Sequence, residues 1–191
     1  MGHEVNSHQP ETLSDFIREL TGERTAMCYQ CAKCSAGCPL ADEMDIPPSQ
    51  LLHLVQLGLP EFDEQALKSL TIWLCLACET CVTRCPKEVD LPKIMDFLRQ
   101  ESMRRGLVNP AAKNIIAFHK AFLDSIQYTG RLYEAGMTAD YKARNPMSAM
   151  QDMMTAPKLF MKGKINPFPH MIKGRKAIAR IFEKAAKKDK R

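Results

Sequence analysis

Aromatic side chains and long apolar runs are scarce in this 191-residue chain. Phe, Trp and Tyr make up 7% of the residues, with a single Trp. No stretch approaches the ~18 consecutive apolar residues that a membrane helix needs. The polar, acidic N-terminal segment lacks both the basic region and the apolar region of a signal peptide. These absences predict a cytoplasmic protein without a membrane span.

Sequence motifs for binding a reactive small molecule are missing as well. There is no G-x-G-x-x-G stretch for a flavin or a nicotinamide, and no P-loop for a nucleotide. The five histidines are scattered, and we interpret His53 and His119 as packing or surface residues rather than metal ligands. The alternation of polar and apolar residues that is typical of β-strands is also missing. The remaining pattern predicts an all-α fold.

Apolar residues recur at helical spacing along most of the chain, and capping residues mark the ends of the predicted helices. The first predicted helix, over 12–21, has an apolar face that comprises Leu13, Phe16, Ile17 and Leu20. The second predicted helix begins at Pro47 and Pro48 and is expected to end at Gly58 and Pro60. The helical pattern weakens beyond Gly130. Further helices are predicted over 62–70, 90–106, 109–130, 131–143 and 147–162, followed by a basic helix from about residue 171.

Charge is distributed unevenly between the two halves of the chain. Residues 1–100 contain 8 Lys and Arg against 15 Asp and Glu, a net charge of −7, whereas residues 101–191 carry +12. We interpret the basic half as a helical extension that contacts a partner protein and ends in a solvated tail from Lys184 to Arg191. A nucleic acid or an anionic membrane would also suit positive charge, but no other feature supports either. The methionines Met147, Met150, Met153, Met154 and Met161 would serve as core or partner contacts.

All eight cysteines lie in the acidic half, in two runs of four. In a cytoplasmic protein, clustered thiols indicate metal or redox chemistry rather than disulfides. Both runs have the spacing C-x₂-C-x₂-C-x₃-C-P and they are offset by 47 residues. The first reads Cys28-Tyr-Gln-Cys31-Ala-Lys-Cys34-Ser-Ala-Gly-Cys38-Pro39, and the second reads Cys75-Leu-Ala-Cys78-Glu-Thr-Cys81-Val-Thr-Arg-Cys85-Pro86.

This is the spacing of bacterial ferredoxins, and its occurrence twice predicts two [4Fe–4S] clusters. Three cysteines two residues apart can curl around one cluster. The fourth cysteine is carried past it and, in two-cluster proteins of this type, ligates the other cluster. Lys33, Arg84 and Lys87 would offset the negative charge of the clusters or remain solvated. The predicted ligands are Cys28, Cys31, Cys34 and Cys85 for the first cluster, and Cys75, Cys78, Cys81 and Cys38 for the second.

Two other interpretations use the same cysteines. Two structural Cys₄ zinc sites would also consume eight thiolates, but such sites pair C-x₂-C knuckles and need no trailing C-P. A free-standing, diffusible ferredoxin would have no need of the long basic extension. Because the two clusters use every thiol, none is left as a nucleophile. The sequence therefore predicts an electron relay without catalytic residues, within a larger complex.

The two runs, joined by a helical segment of 36 residues, resemble the helical-ferredoxin domain. That domain also occurs in the iron–sulfur subunits of succinate dehydrogenase and fumarate reductase. The stretch CYQCAKCSAGCP is more similar to the first motif of the C subunits of CoB–CoM heterodisulfide reductase. The likeness is strong over residues 12–106; beyond them only the helical, Met-rich and basic character matches. The chain has no plant-type [2Fe–2S] cysteine set and no C-C-G motif, which would indicate neighbouring families.

The resemblance implies a helical-ferredoxin domain over residues 1–106 and a helical extension over 107–191 for contacts with other subunits. In that family, the C subunit passes electrons from a flavin-containing A subunit to a B subunit that reduces the CoM-S-S-CoB heterodisulfide of methanogenesis. It thus implies a non-catalytic subunit of an oxidoreductase, with a hydrogenase or a formate dehydrogenase in the wider complex. Heterodisulfide-reductase-like complexes outside methanogenesis contain C-type subunits with the same motifs.

Overall fold

The structure, a computed structural model, describes residues 12–145, 161–162 and 168–189. Within these ranges it contains ten α-helices and no β-strand, which confirms the all-α prediction. Residues 147–160 of the helix predicted over 147–162 lie outside the described residues. Four of the five methionines expected to form core or partner contacts lie there too, namely Met147, Met150, Met153 and Met154. The helices are α1 Leu13–Thr21, α2 Lys33–Ala36, α3 Pro48–Leu57, α4 Pro60–Lys68, α5 Thr71–Leu74, α6 Thr80–Arg84, α7 Leu91–Arg105, α8 Lys113–Thr129, α9 Glu134–Arg144 and α10 Arg175–Asp189.

The chain divides into two compact units, Met1–Ala112 and Lys113–Arg191. Both cysteine runs belong to the first unit, and the basic C-terminal helix α10 belongs to the second. The role of the second unit in contacts with other subunits, and a functional boundary at residue 106, stay predictions.

Capping residues set the helix boundaries of the first unit. The Thr12 hydroxyl accepts a hydrogen bond from the backbone N–H of Asp15 at 3.2 Å, which satisfies a free donor in the first turn of α1. Asp90 does the same for α7 through the N–H of Lys93 at 3.1 Å. The expectation that Pro60 ends a helix is wrong, because Pro60 is the first residue of α4, where its missing N–H costs nothing.

Helix α7 lies at the centre of the first unit and packs against α1, α4, α5 and α6. Its residues Ile94 and Leu98 are fully buried, together with Ile17 of α1 and Leu67 of α4. Burial of such side chains contributes about 1.5–3 kcal/mol each. Because Leu91, at the start of α7, also lines the cysteine cavities described below, the same helix carries the core and one wall of the site.

A loop carboxylate ties the segment before α3 to the start of α5. Asp45 accepts hydrogen bonds from the backbone N–H groups of Leu70 and Thr71, at 2.8 and 2.9 Å, and from the Thr71 hydroxyl at 2.8 Å. Although burial alone would raise it, these hydrogen bonds lower the pKa of Asp45. The contact holds α5 in place immediately ahead of the second cysteine run.

In the second unit, α8 packs against both α9 and α10. Phe118 and Tyr141 meet edge to face, with ring centroids 5.9 Å apart, and Arg144 forms an ion pair with Asp124 at 2.8 Å. None of the helices in the described ranges combines the length and the apolar character needed to cross a bilayer.

Candidate metal centres

The two cysteine runs adopt the same unusual backbone. Gln30 and Ala32, which flank Cys31, have φ angles of 61° and 60°; Ala77 and Glu79, which flank the matching Cys78, have 50° and 60°. A left-handed residue other than Gly costs about 1–2 kcal/mol. Such a cost at four matched positions indicates two sites built to the same shape, and left-handed turns of this kind direct N–H groups toward anions such as iron–sulfur clusters.

A side chain from the next long helix holds the first cysteine of each run. Gln56 of α3 donates to the carbonyl oxygens of Thr25 and Cys28, at 2.7 and 2.8 Å. Its counterpart Arg99 of α7 donates to the carbonyl of Cys75 at 2.6 Å and to that of Ile72. Both side chains occupy the ninth position of their helices. The duplication therefore extends beyond the cysteines to the helices that anchor them.

The eight thiols stand around two neighbouring cavities, each about 30 Å³ in volume. Cys34 and Cys81 line both cavities, and Leu91 does so as well, so the cavities share a wall. The remaining lining is mainly apolar. The first cavity is lined by Cys28, Cys31, Cys34, Cys81 and Cys85, and the second by Cys34, Cys38, Cys75, Cys78 and Cys81.

The thiols line the walls of the cavities and do not converge on the position of a single ion. In the described part of the chain, no three His, Cys, Asp or Glu side chains converge to hold a single metal ion. Each cavity is instead faced by four thiols of its predicted ligand set, and by one thiol of the shared wall. A donor set of soft thiolates suits an iron–sulfur cluster, which takes one thiolate for each of its four irons.

The pKa values of the exposed thiols and of the buried thiols are shifted in opposite directions. The backbone N–H of Lys33, aided by the Tyr29 hydroxyl, lowers the pKa of the exposed Cys31. The hydroxyl and the N–H of Thr80 lower the pKa of Cys78. Burial instead raises the pKa of the deeper thiols, which would therefore release protons on binding iron. These deeper thiols are Cys34, Cys75 and Cys81, and the pKa of Cys81 rises to about 11.

Other residues that the sequence singles out lie at the surface. His53 and His119 are exposed, as are Lys33, Arg84 and Lys87. The Arg84 side chain lies across Gly37, where a Cβ atom would stand 2.5 Å from its Cδ atom. Gly37 is the residue before Cys38, and Arg84 is the residue before Cys85, so the ends of the two runs meet. The predicted role of these cations in offsetting cluster charge stays a prediction.

Sequence reasoning missed Gln56 and Arg99. Their partners are main-chain carbonyl oxygens 28 and 24 residues earlier in the chain, which no spacing rule addresses. The one available signal is a long polar side chain at the same position of two helices that each follow a cysteine run.

Comparison with known proteins identifies the family. A family model described as a 4Fe-4S dicluster domain matches residues 24–89, which include both cysteine runs. A protein of Archaeoglobus profundus, named as similar to the C subunit of heterodisulfide reductase, is 30% identical over 135 residues, which are 70% of this chain and 67% of the relative. The chain belongs to the family of heterodisulfide reductase C subunits. Its fold is accordingly that of a helical ferredoxin, and the matched dicluster domain supports [4Fe–4S] clusters and an iron–sulfur electron-transfer role.

Further relatives show how far the likeness extends. The C subunit of the H(2):CoB-CoM heterodisulfide,ferredoxin reductase of Methanothermobacter marburgensis is 27% identical over 106 residues, which are 56% of this chain and 56% of that relative. The 8-methylmenaquinol:fumarate reductase iron-sulfur subunit of Wolinella succinogenes is 30% identical over 127 residues, which are 62% of this chain and 37% of that relative. The chain thus spans little more than half the length of some relatives, and part of it is also similar to a fumarate reductase subunit.

Proposed function

We propose that this chain is the electron-relay subunit of a heterodisulfide reductase complex. It would pass electrons from a flavin-containing A subunit to a B subunit that reduces the CoM-S-S-CoB heterodisulfide. The observation that supports this most strongly is the division of eight thiols between two cavities with a common wall. Two adjacent redox centres within one chain are what a relay requires. The substrate is taken from the names of related C subunits, which specify CoB–CoM heterodisulfide.

We assign four thiolates to each cluster, with the fourth cysteine exchanged between the runs. The lining of the two cavities favours this exchange, because Cys85 faces the cavity of the first run and Cys38 faces that of the second. When bound, each cluster supplies a one-electron redox centre. The chain's own apolar residues, such as Leu52 and Val89, would exclude water from it. The ligands are Cys28, Cys31, Cys34 and Cys85 for one cluster, and Cys75, Cys78, Cys81 and Cys38 for the other.

The chemistry on the heterodisulfide is assigned to the B subunit. This chain has eight cysteines, all of them committed to clusters, so it has no spare thiol for attack on a disulfide. The chain is thus an oxidoreductase component that binds no substrate itself. The unit Lys113–Arg191, with its basic helix α10, is proposed to contact the other subunits, and a hydrogenase or a formate dehydrogenase would supply the electrons to the wider complex.

Metal analysis of the anaerobically purified chain tests the cofactors. We expect about eight irons and about eight acid-labile sulfides per chain, and two interacting EPR signals after reduction. Colourless protein with stoichiometric zinc would contradict the cluster assignment and favour a zinc module.

Paired substitutions test the exchange of Cys38 and Cys85. If Cys38 shares a cluster with Cys75, the double variant Cys38→Ser/Cys75→Ser loses one cluster and keeps about four irons per chain. The matched double variant Cys38→Ser/Cys28→Ser then damages both clusters and loses most of its iron. The opposite ranking of the two variants would show that each run holds its own cluster.

Activity measurements test the relay. The isolated chain should not reduce CoM-S-S-CoB, whereas the complex purified with it should do so and should contain a flavoprotein. Turnover by the isolated chain would contradict the relay assignment, and a monomer without partners would favour a diffusible ferredoxin.

A second candidate is a C-type subunit of a related complex outside methanogenesis. The name of the Archaeoglobus profundus relative supports it, because that name states only a likeness to a heterodisulfide reductase subunit. A purified complex that is active with another substrate but not with CoM-S-S-CoB would select this candidate.

A further inference from the structure

We propose that the exposed thiols Cys31 and Cys78 mark two separate ends of the relay, and that each end binds a different redox protein. The end at Cys31 fits a partner surface with acidic side chains, and the end at Cys78 fits a surface with apolar and basic side chains. This inference rests on the proposed two-cluster function and adds where electrons cross the protein surface. One electron passes from the redox centre of one partner to the nearer cluster, then to the second cluster and on to the redox centre of the other partner. No bond forms or breaks.

Exposure differs among the eight thiols. Cys31 and Cys78, the second cysteine of each run, are exposed, and the other six are partly buried. Cys31 lines the first cavity and Cys78 the second, whereas the shared wall is formed by Cys34 and Cys81. The rate of electron transfer falls steeply with distance, so an electron crosses the surface most readily where a ligand of the cluster is exposed. Each cluster therefore has its own access to the surface, and the shared wall connects the two clusters.

A large side chain with apolar surface stands beside each exposed thiol, at the same position of the two runs. Tyr29, two residues before Cys31, is 56% exposed. Leu76, two residues before Cys78, is 66% exposed. Met27, just before the first run, is exposed as well. Exposed apolar surface marks sites of interaction, and aromatic residues and Met are enriched where proteins meet. The matched placement therefore favours a protein partner at each thiol.

The charges beside the two exposed thiols are opposite. Lys33 follows Cys31 by two residues, is exposed and lines the first cavity. Glu79 directly follows Cys78 and is exposed. At the positions that match these two residues, the other run has an uncharged threonine or alanine. The backbones of the two runs have the same left-handed residues, so the two ends differ in charge rather than in shape.

Charges farther from the thiols extend this difference. The turn Ala41–Glu43 lies between two residues that line the second cavity, and it carries the exposed carboxylates Asp42 and Glu43. After the last cysteine of the first cavity, the exposed neighbours Lys87 and Glu88 have opposite charges that compensate each other. The end at the second cavity is thus acidic, and the end at the first is weakly basic. Complementary charge steers encounters and disfavours wrong partners, so each end would recognise a partner of the opposite charge.

Oxidation of the reduced, cluster-loaded chain by small charged oxidants tests the two ends without any partner. Fe(III)-EDTA is an anion and hexaammineruthenium(III) is a cation, and each takes up one electron in a reaction that stopped-flow absorbance follows. Lys33→Glu should slow oxidation by Fe(III)-EDTA several-fold, and Glu79→Lys should slow oxidation by the ruthenium complex several-fold. Neither should slow the oxidant of the other charge, and both effects should fade at high salt.

Glu61→Lys is the matched control for these rates. Glu61 is exposed on α4, which contributes no residue to the lining of either cavity. The substitution changes the net charge by the same amount as Glu79→Lys does. It should leave both oxidation rates nearly unchanged, because the added charge lies away from the two ends.

Double variants in the complex purified with its A and B subunits test the partners. Tyr29→Ser/Lys33→Glu and Leu76→Ser/Glu79→Lys each remove the large side chain and reverse the charge at one end. None of these four residues is a predicted ligand, so both variants should keep about eight irons per chain. We expect native mass spectrometry to show that the two variants lose different subunits, while Glu61→Lys retains both.

Two results would overturn the proposal while the two-cluster function stood. One is that both double variants lose the same subunit, or that both retain all subunits. The other is that Lys33→Glu and Glu79→Lys change the oxidation rates no more than Glu61→Lys does.

The unsubstituted chain separates these results from a failure of the proposed function. A chain without about eight irons and eight sulfides fails as a two-cluster protein. A fully loaded chain that binds neither an A nor a B subunit contradicts the relay assignment, and the oxidation rates then decide alone whether the two ends exist.

Discussion

The side-chain nitrogen of Gln56 donates a hydrogen bond to the carbonyl oxygen of Cys28, 2.8 Å away, and so joins helix α3 to the first residue of the first cysteine run. Gln56→Leu removes this bond and the one to Thr25, and it leaves Gln30 without its acceptor. We expect a loss of about 1–3 kcal/mol in unfolding free energy, because carbonyl oxygens lose their donors. Iron should also be lost faster to a chelator. His53→Ala, on the exposed side of the same helix, is the control and should match the unsubstituted chain. Equal iron loss from both variants would contradict this role of Gln56.

Iron retention on the Cys75 side should depend on the planar shape of the Arg99 guanidinium more than on its charge. Its guanidinium reaches the carbonyls of Ile72 and Cys75 while it pairs with Asp96. A lysine keeps the positive charge but lacks the planar fork that binds two carbonyls together. We therefore expect Arg99→Lys to lose iron from the Cys75 side nearly as fast as Arg99→Met, in a chelator assay followed by visible absorbance. Full retention of iron in Arg99→Lys would mean that charge alone is needed.

Asp45 should make the stability of the first unit depend on acid pH. Its pKa is lower in the folded state than the ordinary value of 3.8, so the folded state binds the proton less tightly than the unfolded chain. The stabilisation is therefore present above about pH 4 and is lost as the pH falls through the folded pKa. Asp45→Asn replaces a charged acceptor of three hydrogen bonds, so it should lower stability by about 1 kcal/mol at neutral pH and flatten its acid dependence in urea unfolding. Asp42→Asn, in the preceding exposed turn, should cost little at neutral pH. An unchanged acid dependence in Asp45→Asn would rule out this role.

Trp73 provides an optical probe of the cluster on the Cys75 side. It is the only tryptophan of the chain, is 5% exposed and lies two residues before Cys75. Iron–sulfur clusters absorb where indole emits, so a bound cluster should quench its fluorescence. Removal of iron by a chelator should raise the emission, and Cys78→Ser should raise it without chelator. Unchanged emission after chelation and in Cys78→Ser would mean that no cluster is bound near Trp73.

Two apolar residues of α1 should differ sharply in their contribution to stability. Ile17 is completely buried, whereas 68% of Leu20 is exposed. Ile17→Ala should cost about 2–5 kcal/mol, because it removes packed methyl groups and leaves a cavity against α7. Leu20→Ala should stay within about 0.5 kcal/mol. Urea unfolding of the two variants measures the difference, and a similar cost for both would contradict the packing of α1.

These two residues also show how far the sequence could predict the fold. Helical spacing puts Leu13, Ile17 and Leu20 on one face, and the helix predicted over 12–21 forms as Leu13–Thr21, with Thr12 and Gly22 as its caps. The spacing of apolar residues identifies the apolar face of the helix. Which residues of that face are covered by other helices depends on the tertiary packing, which the spacing does not describe. Leu20, at the end of α1, lies beyond that reach and remains exposed.

The sequence predicts the thiols of the site, but it does not predict the helices and side chains that hold them in position. The repeated spacing of Cys28 to Cys38 and of Cys75 to Cys85 indicates clusters because metal chemistry dictates that spacing. The short helices α2 and α6 escape prediction, since four or five residues that follow a left-handed residue carry no periodic signal. Gln56 and Arg99 bind backbone atoms, and backbone atoms are the same at every position of a sequence.

The wall that Cys34 and Cys81 provide to both cavities bears on how the protein matures. Filling one cavity draws these two residues into the positions that the other cavity also requires, so the first assembly event prepares the second. We therefore expect the two clusters of the unsubstituted chain to load cooperatively, so that chains holding a single cluster are rare during assembly. A variant that lacks two ligands of one cluster can still load the other, only more slowly. A quality-control step in the cell would then meet mainly two forms of the unsubstituted chain, the empty one and the fully loaded one.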